Sequence, residues 1–310
     1  MFTFFSNRKE EKSKVPKELN FFNEKEYHLF INIIDSFFKE NKIEYELFKD
    51  YIYTNSDIFG YDYLGLTNVS IECKKVKTKK YKKIIYHHFN NLISDNKDLK
   101  ENIEEYDKIN FFLEIKIQRK SFFRDFEIQN FVYKQITLDL LSFIVVNLKG
   151  SVHYITKKDL KNWNIEKIKL FDDIEKRTNF KYHIEKMALN NIEILKVTSD
   201  HFFNSNIIIS KKKLLDLKGK YGIILSVPNI QEALLLPIEN RQSLKGIDVI
   251  SQKTIELYNK SSRYLSYKIY WLVDGNYCEF EYKTEKGKIY SRASNDILKL
   301  ISKIPQLSHE

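Results

Sequence analysis

The run KKVKTKKYKK at positions 74–83 is the stretch of this sequence whose residue types and spacing point most directly to a chemistry. Lysine ammonium groups neutralise phosphates and release their counterions, so a dense basic run is a candidate site for a polyanion. Tyr81 within the run and Tyr86 just after it could stack on the bases of a single strand. The candidate polyanion-binding residues are Lys74, Lys75, Lys77, Lys79, Lys80, Lys82 and Lys83.

A plainer interpretation of the same run is a solvated helix face. Tyr81 falls on the apolar side of the helix predicted here, which would leave the lysines as a rim exposed to water. The chain has 52 basic and 42 acidic residues and a net charge of +10, an excess that attracts nucleic acid and acidic proteins over long range. An AT-rich genome also supplies lysine, so charge alone does not decide between the two interpretations.

Two acid-x-lysine triplets raise the hypothesis of a metal-dependent hydrolase or nuclease. Such an enzyme needs acidic metal ligands with a lysine nearby. The triplet Glu114-Ile115-Lys116 follows Asp107, and Glu281-Tyr282-Lys283 follows Asp274. In a chain this rich in charge, chance alone produces several such triplets, and Asp274 is needed for a hairpin turn. The hydrolase is therefore the lowest-ranked hypothesis.

The histidines do not form a recognisable metal or catalytic motif. His87 and His88 are adjacent, so on a helix they point to different sides, which is poor geometry for one metal ion. His153 and His183 have no acidic or cysteine neighbour at ligand spacing. The chain also lacks a glycine-rich phosphate loop and the common hydrolase signatures. The sequence predicts no cofactor, no metal and no catalytic residue, and it favours a protein that is not an enzyme.

The cysteine content and the apolar runs indicate a compartment. Cys73 and Cys278 lie far apart and suggest no disulfide framework, which fits a reducing cytoplasm. The initial MFTFF is too short for the apolar part of a signal peptide. The longest apolar run, LLSFIVVNL at 140–148, is less than half the length that spans a bilayer. We therefore expect a cytoplasmic protein that makes no membrane contact.

The elements that would position these residues begin with a helix. Asn23 followed by Glu26 is a capping-box variant, and apolar residues repeat behind it at helical spacing. A second helix is predicted over 79–93, where Tyr81 and Phe89 share a face with other apolar residues. The remaining predictions before the second set of turn signals are one or two strands within 43–63 that end near Gly60 and a strand at 109–118. Two buried strands follow within 138–155 around Lys149-Gly150, and then short helices from 157 with Trp163 and Leu170 as core anchors.

The second half has clearer turn signals. Asp274-Gly275 tolerates the positive φ angles of a type I′ turn and predicts a hairpin. Gly219 stands where a glycine at a helix C-terminus is expected. The predicted elements are a strand at 192–197, a helix at 211–218, strands at 221–227 and 232–238, and a helix at 247–258. Helices between hairpin-linked strands favour an α+β fold with mostly antiparallel sheets and flanking helices.

The domain organisation follows from length and pattern. A chain of 310 residues can bury one large core or two moderate ones. We predict a flexible lead-in over 1–20, an N-terminal α+β half over 21–137 and a C-terminal α+β domain over 138–310. The boundary rests on the change in pattern, because no linker rich in glycine, serine or proline marks it.

The C-terminal half contains several segments that match a family in one order. These are LKGSVHYITKKDLKNWN, VTSDHFFNSNIII, GIILSVPNIQEALLLPIEN and YLSYKIYWLVDG, within residues 141–282. In these segments the chain resembles the bacterial domain-of-unknown-function family 1444. The first half is similar to related uncharacterised proteins only in LGLTNVSIECKK and YKKIIYHHF. The resemblance implies a fold grouping and a bacterial cytoplasm, and no activity, cofactor or catalytic residue.

Departures from the family pattern remove the charged groups that a site would use. Where the family often has an acidic residue after its Val-Pro pair, this chain has Gln231, and Glu232 is shifted by one position. The family also has an acidic-x-Ser-Arg pattern before this pair. At the matching positions this chain has Phe203 in place of the acidic residue, Ser205, and Asn206 in place of the arginine. Pro228 and Asn229 suit a bend between two strands, so we interpret this corner as structural rather than as a ligand-binding loop.

Three functional hypotheses follow, in order. The first is a non-enzymatic cytosolic protein that binds another macromolecule, most plausibly a protein, as an adaptor, a regulator or a toxin-neutralising partner. Exposed aromatic side chains in one contiguous patch would favour it, because aromatic residues anchor interfaces. The second is nucleic-acid binding through a lysine-rich helix at 74–83, and the third is the metal-dependent hydrolase.

Overall fold

The fold is α+β with antiparallel sheets, as predicted. The computed structural model describes residues 15–16, 19–48, 50–60, 63–123, 128–148, 152–177, 181–189, 192–199, 204–285 and 288–305. Most of the predicted lead-in at 1–20 and the predicted turn at Lys149-Gly150 lie outside these ranges. The chain forms two compact units, the first over 1–111 with 147–153 and the second over 112–146 with 154–310. These units are groups of contacting residues, so the domain boundary at 137/138 stays a prediction.

The first unit is mainly helical. Its helices are α1 (Glu24–Glu40), α2 (Thr67–Lys74), α3 (Tyr81–Asn102) and α4 (Tyr106–Ile109). The capping box predicted for α1 is present, because Glu26 N donates to Asn23 Oδ1 at 2.9 Å and Asn23 N donates to Glu26 Oε2 at 3.0 Å. The face of α1 that packs on the core buries Tyr27, Phe30, Ile34, Phe37 and Phe38.

Helix α3 extends well beyond the predicted end at 93. The sequence after this point is polar, yet Asp95, Asn96 and Leu99 are buried. Asn96 Nδ2 donates to the carbonyl oxygens of Asp57 and Ile58 at 2.9 and 3.0 Å. The extra turns are therefore held by a loop almost forty residues earlier in the chain.

A small antiparallel sheet completes the first unit. Its strands, in the order β1-β2-β3, are β1 (Glu46–Leu47), β2 (Tyr51–Tyr53) and β3 (Tyr63–Gly65). The prediction of one or two strands ending near Gly60 missed β3. Ile52 and Leu64 are register partners, and both side chains are buried in the core of this unit. One face of the sheet is thus fixed against the core, and alternate residues belong to the other face.

The second unit begins with a sheet of order β4-β6-β5. Its strands are β4 (Leu113–Arg119), β5 (Tyr133–Gln135) and β6 (Leu140–Asn147), and the division between the units passes through β7 (Val152–Tyr154). Helices α5 (Lys157–Asn162) and α6 (Lys167–Arg177) follow. The predicted anchors Trp163 and Leu170 are both buried. Arg177 Nη2 donates to the carbonyl of Leu113 at 2.6 Å, which ties α6 to the start of β4.

The larger sheet of the second unit has the order β13-β12-β10-β11-β9-β8, and its neighbouring strands are antiparallel. The helix that packs on this sheet is α8 (Gly246–Lys260), preceded in the chain by α7 (Lys211–Leu217). After the sheet come a separate two-stranded ribbon and α9 (Asn295–Ser302). The strands are β8 (Tyr182–Leu189), β9 (Ile192–Ser199), β10 (Ile223–Ser226), β11 (Ala233–Pro237), β12 (Tyr270–Val273), β13 (Asn276–Glu279), β14 (Glu281–Glu285) and β15 (Lys288–Arg292).

Two glycine predictions had different outcomes. The hairpin at Asp274-Gly275 is confirmed, since both residues have positive φ, 49° and 77°, and join β12 to β13. Gly219 directly follows Lys218, the residue that caps the C-terminus of α7, as predicted, but it does not adopt the left-handed conformation that usually favours glycine there. Gly219 has no positive φ, and a Cβ there would lie 2.5 Å from the backbone carbon of Ile238. This glycine is needed for a close approach of two backbones.

Candidate functional site

The lysine run does not lie on one helix. Lys74 ends α2, Lys75 caps it, a short 3₁₀ turn covers Thr78–Lys80, and α3 carries the last two lysines. All seven lysine side chains are exposed. The predicted lysine-rich helix is therefore a basic junction between two helices, which we call the lysine junction and define as residues 74–83.

Three lysines of the junction are engaged by acidic residues of the same unit. Lys74 Nζ lies 2.8 Å from Glu26 Oε2, and the hydrogen bond between them lowers the pKa of Glu26. Lys75 pairs with Glu72 at 3.4 Å, and Lys82 pairs with Glu40 at 3.5 Å. The junction lysines that make no ion pair within the described residues are Lys77, Lys79, Lys80 and Lys83. Only these four are available to a polyanion without competition.

The start of α3 adds to the positive field of the junction. Lys80 occupies the cap position without a side-chain cap; the 3₁₀ turn before α3 pairs the N–H groups of Lys80 and Tyr81 with backbone carbonyls and leaves later N–H groups of the first turn without a cap. Free N–H groups at a helix N-terminus carry partial positive charge and favour anions. Tyr81, however, is fully buried, and Tyr86 is half-buried with Lys82 Nζ 4.8 Å from its ring centroid. Tyr81 therefore cannot stack on bases.

Sequence reasoning missed a second surface, formed by aromatic residues on the small sheet. Tyr51 and Tyr53 alternate with the buried Ile52 along β2, and Tyr63 on β3 is the register partner of Tyr53. Ring centroids lie 5.7 Å apart for Tyr51 and Tyr63 and 5.2 Å apart for Tyr53 and Tyr63. Phe48 extends the set by stacking on Tyr51 at 4.7 Å. We call Phe48, Tyr51, Tyr53 and Tyr63 the aromatic face.

The aromatic face is open to solvent. Tyr63 is 37% exposed, and the other three rings are partly exposed. By contrast, Trp163 and Trp271 are both buried, so neither tryptophan is available as an interface anchor. The alternation Tyr-Ile-Tyr at 51–53 is the sequence signal that could have predicted this face, but three residues are too few for a reliable period.

The segment that forms the aromatic face is acidic, in contrast to the rest of the chain. Residues 43–63 contain five acidic residues and one lysine, whereas the whole chain has a net charge of +10. Glu46 is exposed and is the register partner of Tyr53, so its carboxylate belongs to the aromatic face side of the sheet. Aromatic rings and the carboxylate of Glu46 thus lie on the same side of the sheet.

The acid-x-lysine triplets are not gathered into a metal site among the residues that the structure describes. Glu114 and Lys116 share one face of β4, where Lys116 Nζ lies 5.0 Å from the Tyr154 ring centroid. Asp107 lies in α4, and Asp274 forms the hairpin turn. Within the described ranges no three His, Cys, Asp or Glu side chains are grouped to hold a metal ion. No observation on these residues favours the hydrolase hypothesis.

The Pro228-Asn229 corner is a side-chain-stabilised turn. Asn229 Oδ1 accepts hydrogen bonds from the backbone N–H groups of Gln231 and Glu232 at 2.8 and 2.9 Å. Glu232 is half-buried between Asn229 Nδ2 at 3.1 Å and Lys196 Nζ at 2.7 Å. Burial acts to raise the pKa of Glu232, but the hydrogen bonds from Lys196 and Asn229 outweigh it and leave the pKa lowered.

The residues that replace the family's acidic-x-Ser-Arg pattern also make structural contacts. Ser205 and Asn206 are fully buried, and Phe203 lies outside the described residues. Asn206 Nδ2 donates to the carbonyl of Ile115 at 2.6 Å, which links a 3₁₀ turn to β4. This position connects elements of the second unit.

The adjacent histidines on α3 occupy different environments, as predicted. The His87 ring is exposed and lies 3.1 Å from the side-chain amide of Asn91. His88 packs edge-on against the buried ring of Phe89, with centroids 5.3 Å apart. Burial lowers the pKa of His88 to about 4, and the positive charge of His87 contributes to the same direction, whereas Glu72 opposes it.

We predict that His88 makes stability depend on pH between about pH 6.5 and pH 4. The unfolded state binds a proton near pH 6.5 and the folded state only near pH 4, so stability is lost as the pH falls through this window. The loss should reach about 1–3 kcal/mol. Urea unfolding at about pH 7 and pH 4.5 should show a smaller pH effect in His88→Gln than in the unmodified protein. The adjacent exposed His87→Gln is the control, and an equal reduction there would contradict the prediction.

Scans against protein-family models, curated proteins and solved structures find no match to this chain. The resemblance to family 1444 therefore stays an expectation from the quoted segments. Among the described residues, no helix has both the length and the apolar character that a membrane crossing requires.

Proposed function

We propose that this chain is a non-enzymatic cytoplasmic protein that binds another protein through its aromatic face, as an adaptor, a regulator or a toxin-neutralising partner. One observation carries the proposal: contiguous, solvent-accessible tyrosines share one side of a sheet with the carboxylate of Glu46, in a segment that is acidic within an otherwise basic chain. The expected occupant is a basic segment of a partner protein. The resemblance to family 1444 supports a bacterial cytoplasm as its setting.

The aromatic face has the properties of an interface anchor. Tyrosine offers a large contact area with few rotatable bonds, so it loses little conformational entropy on binding. The rings are already in mutual contact, and their strands are fixed from below by the buried Ile52 and Leu64. A surface that is ordered before binding costs less free energy to engage.

The charge of the surface selects the kind of partner. Arginine and lysine side chains are attracted to the faces of tyrosine rings, by about 0.5–1 kcal/mol at exposed sites. The carboxylate of Glu46 and the acidic character of segment 43–63 add long-range attraction for a basic segment. The same negative charge repels phosphates, which disfavours stacking of nucleic-acid bases on this sheet. A basic protein segment therefore fits the aromatic face better than a nucleic acid does.

Nucleic-acid binding at the lysine junction is the second candidate, and a specific observation favours it. Lys77, Lys79, Lys80 and Lys83 are exposed, make no ion pair within the described residues and surround an uncapped helix start. If all four contact phosphates of duplex DNA, log K should fall with log salt with a slope of about −3.6. Binding without this salt dependence would exclude the junction as a polyanion site.

The test is affinity capture from the native lysate, with and without nuclease, read by quantitative mass spectrometry. The aromatic variant carries Tyr51→Ser, Tyr53→Ser and Tyr63→Ser, and the junction variant carries Lys77→Glu, Lys79→Glu, Lys80→Glu and Lys83→Glu. A protein partner retained after nuclease should be depleted at least about tenfold by the aromatic variant and little by the junction variant.

A charge-matched control separates the junction from net charge. It carries Lys158→Glu, Lys161→Glu, Lys212→Glu and Lys213→Glu, all at exposed positions of the second unit. Loss of nucleic acid in the junction variant but not in this control would support the second candidate. A partner that survives nuclease and the aromatic substitutions unchanged would contradict the proposed function.

A further inference from the structure

The larger sheet of the second unit ends in an open edge. Its outermost strand, β8, pairs with β9 on one side, and within the described residues no strand pairs with its other side. The run from His183 to Lys186 in β8 is exposed. Neither the proposed function nor the second candidate uses this strand.

The edge strand is long and regular. All eight residues of β8 are in register with β9, without a bulge, and the strand contains no glycine or proline. Proteins usually protect a sheet edge with a short strand, a bulge, a proline or a covering element, because the outward N–H and C=O groups of an edge can pair with another strand. Apart from its charged side chains, β8 has none of these protections.

The edge strand β4 of the smaller sheet is covered, in contrast to β8. Arg177 donates to the carbonyl of Leu113, and the side-chain amide of Asn206 donates to the carbonyl of Ile115, both at 2.6 Å. Within the described part of the chain, the last six residues of β8 accept no such hydrogen bond from a side chain. The outer edge of β8 is therefore able to pair with a further strand.

An exposed apolar side chain stands in the middle of this edge. Ile184 is 43% exposed, whereas its register partner Val197 on β9 is fully buried. The sheet thus continues by one strand beyond the core that covers β9. A strand added to β8 would place a neighbour directly opposite Ile184 and remove apolar surface from water.

We propose that β8 pairs with β8 of a second copy of this chain, antiparallel, with the two-fold axis at Ile184. The strand is complementary to itself in this register, because Ile184 lies opposite its own copy, His183 opposite Glu185, and Tyr182 opposite Lys186. An apolar pair forms at the axis, and an imidazole faces a carboxylate on both sides of it. Cross-strand pairs of these kinds stabilise a sheet.

The charges of β8 disfavour the neighbouring symmetric registers. An axis at Glu185 or at Lys186 sets two like charges directly opposite each other, which destabilises a strand pair. An axis at Met187 puts both charged side chains opposite apolar ones. An axis at His183 pairs only three residues of the strand, whereas the axis at Ile184 pairs five. The charge pattern therefore selects the register centred on Ile184.

Sedimentation equilibrium of the purified full chain over a range of concentrations tests the proposal. Five residue pairs form a small interface, so we expect a concentration-dependent dimer with a dissociation constant between about 1 and 100 μM. Ile184→Lys places two ammonium groups at the axis and should weaken dimerisation at least about tenfold. The matched control is Ile168→Lys, the same substitution at an isoleucine of this unit that is 66% exposed, which should dimerise normally.

Crosslinking tests the register, and it decides the matter if Ile184→Lys fails to fold. In a Cys278→Ser background, the buried Cys73 is the remaining native thiol. A short bis-maleimide should join two copies of Ile184→Cys, which lie opposite each other. Two copies of Met187→Cys would be six residues apart along the strands, about 20 Å, and should not be joined.

Three results would overturn the proposal. They are an unmodified chain that stays monomeric at about 100 μM, equal dimerisation of the two lysine variants, and crosslinking at position 187 that equals or exceeds that at 184. No second protein takes part in these measurements, so none of the results bears on the aromatic face.

Discussion

Replacement of Gly222 by alanine is expected to lower the free energy of unfolding by at least about 3 kcal/mol. Gly222 has φ of +97°, and a Cβ there would lie 2.4 Å from the carbonyl oxygen of Leu272 and 2.9 Å from Val273 Cγ2. The close neighbour is backbone of β12, which pairs with β10 immediately after this glycine. Relief of the clash therefore requires separation of two central strands.

Gly275→Ala is the matched comparison for this prediction. Gly275 also has a positive φ, +77°, but a Cβ there would meet nothing within 4 Å. Only the conformational cost of the left-handed region remains, about 1–2 kcal/mol. Urea unfolding followed by circular dichroism should separate the two variants clearly. Equal losses of unfolding free energy in the two variants would show that the close approach of Gly222 to β12 does not contribute to the destabilisation of Gly222→Ala.

Truncation of Phe38, in the first unit, to alanine should lower the free energy of unfolding by a similar amount, about 3–5 kcal/mol. Phe38 on α1 is fully buried, with ring centroids 4.6 Å from Tyr45, 5.7 Å from Phe59 and 5.2 Å from Phe89. The substitution removes these contacts and leaves a cavity where a helix, a loop and a second helix meet.

Phe111→Ala provides the control, because this ring is 82% exposed. Truncation of an exposed side chain should change the free energy of unfolding by no more than about 0.5 kcal/mol. A loss below about 1 kcal/mol in Phe38→Ala would mean that the aromatic cluster around it rearranges to fill the space.

The elements that could be predicted from sequence are those with local causes. Helix α1 was predicted because its capping box and apolar period lie within a few residues of each other. The hairpin at Asp274-Gly275 was predicted because its turn depends on two residues alone. The extension of α3 could not be predicted, since Asn96 is held by carbonyl groups of a loop at 57–58.

The surfaces were only partly predictable for the same reason. The lysines at 74–83 were identified by composition, but the ion pair between Lys74 and Glu26 joins residues 48 positions apart and leaves no sequence signal. The aromatic face depends on the register of strands two or three residues long. The open edge of β8 depends on where the larger sheet ends. Tertiary packing rather than any local pattern creates these three features.

Site-specific photo-crosslinking tests whether the aromatic face contacts a basic protein segment. A benzophenone amino acid replaces Tyr63 on the aromatic face in one protein and Lys83 of the lysine junction in a second. We expect the protein with benzophenone at Tyr63 to form an adduct with a second protein in native lysate. The crosslinked partner peptide should be rich in arginine or lysine, and the adduct should survive nuclease. Adducts confined to Lys83→benzophenone, or a partner peptide at position 63 without basic residues, would contradict this expectation.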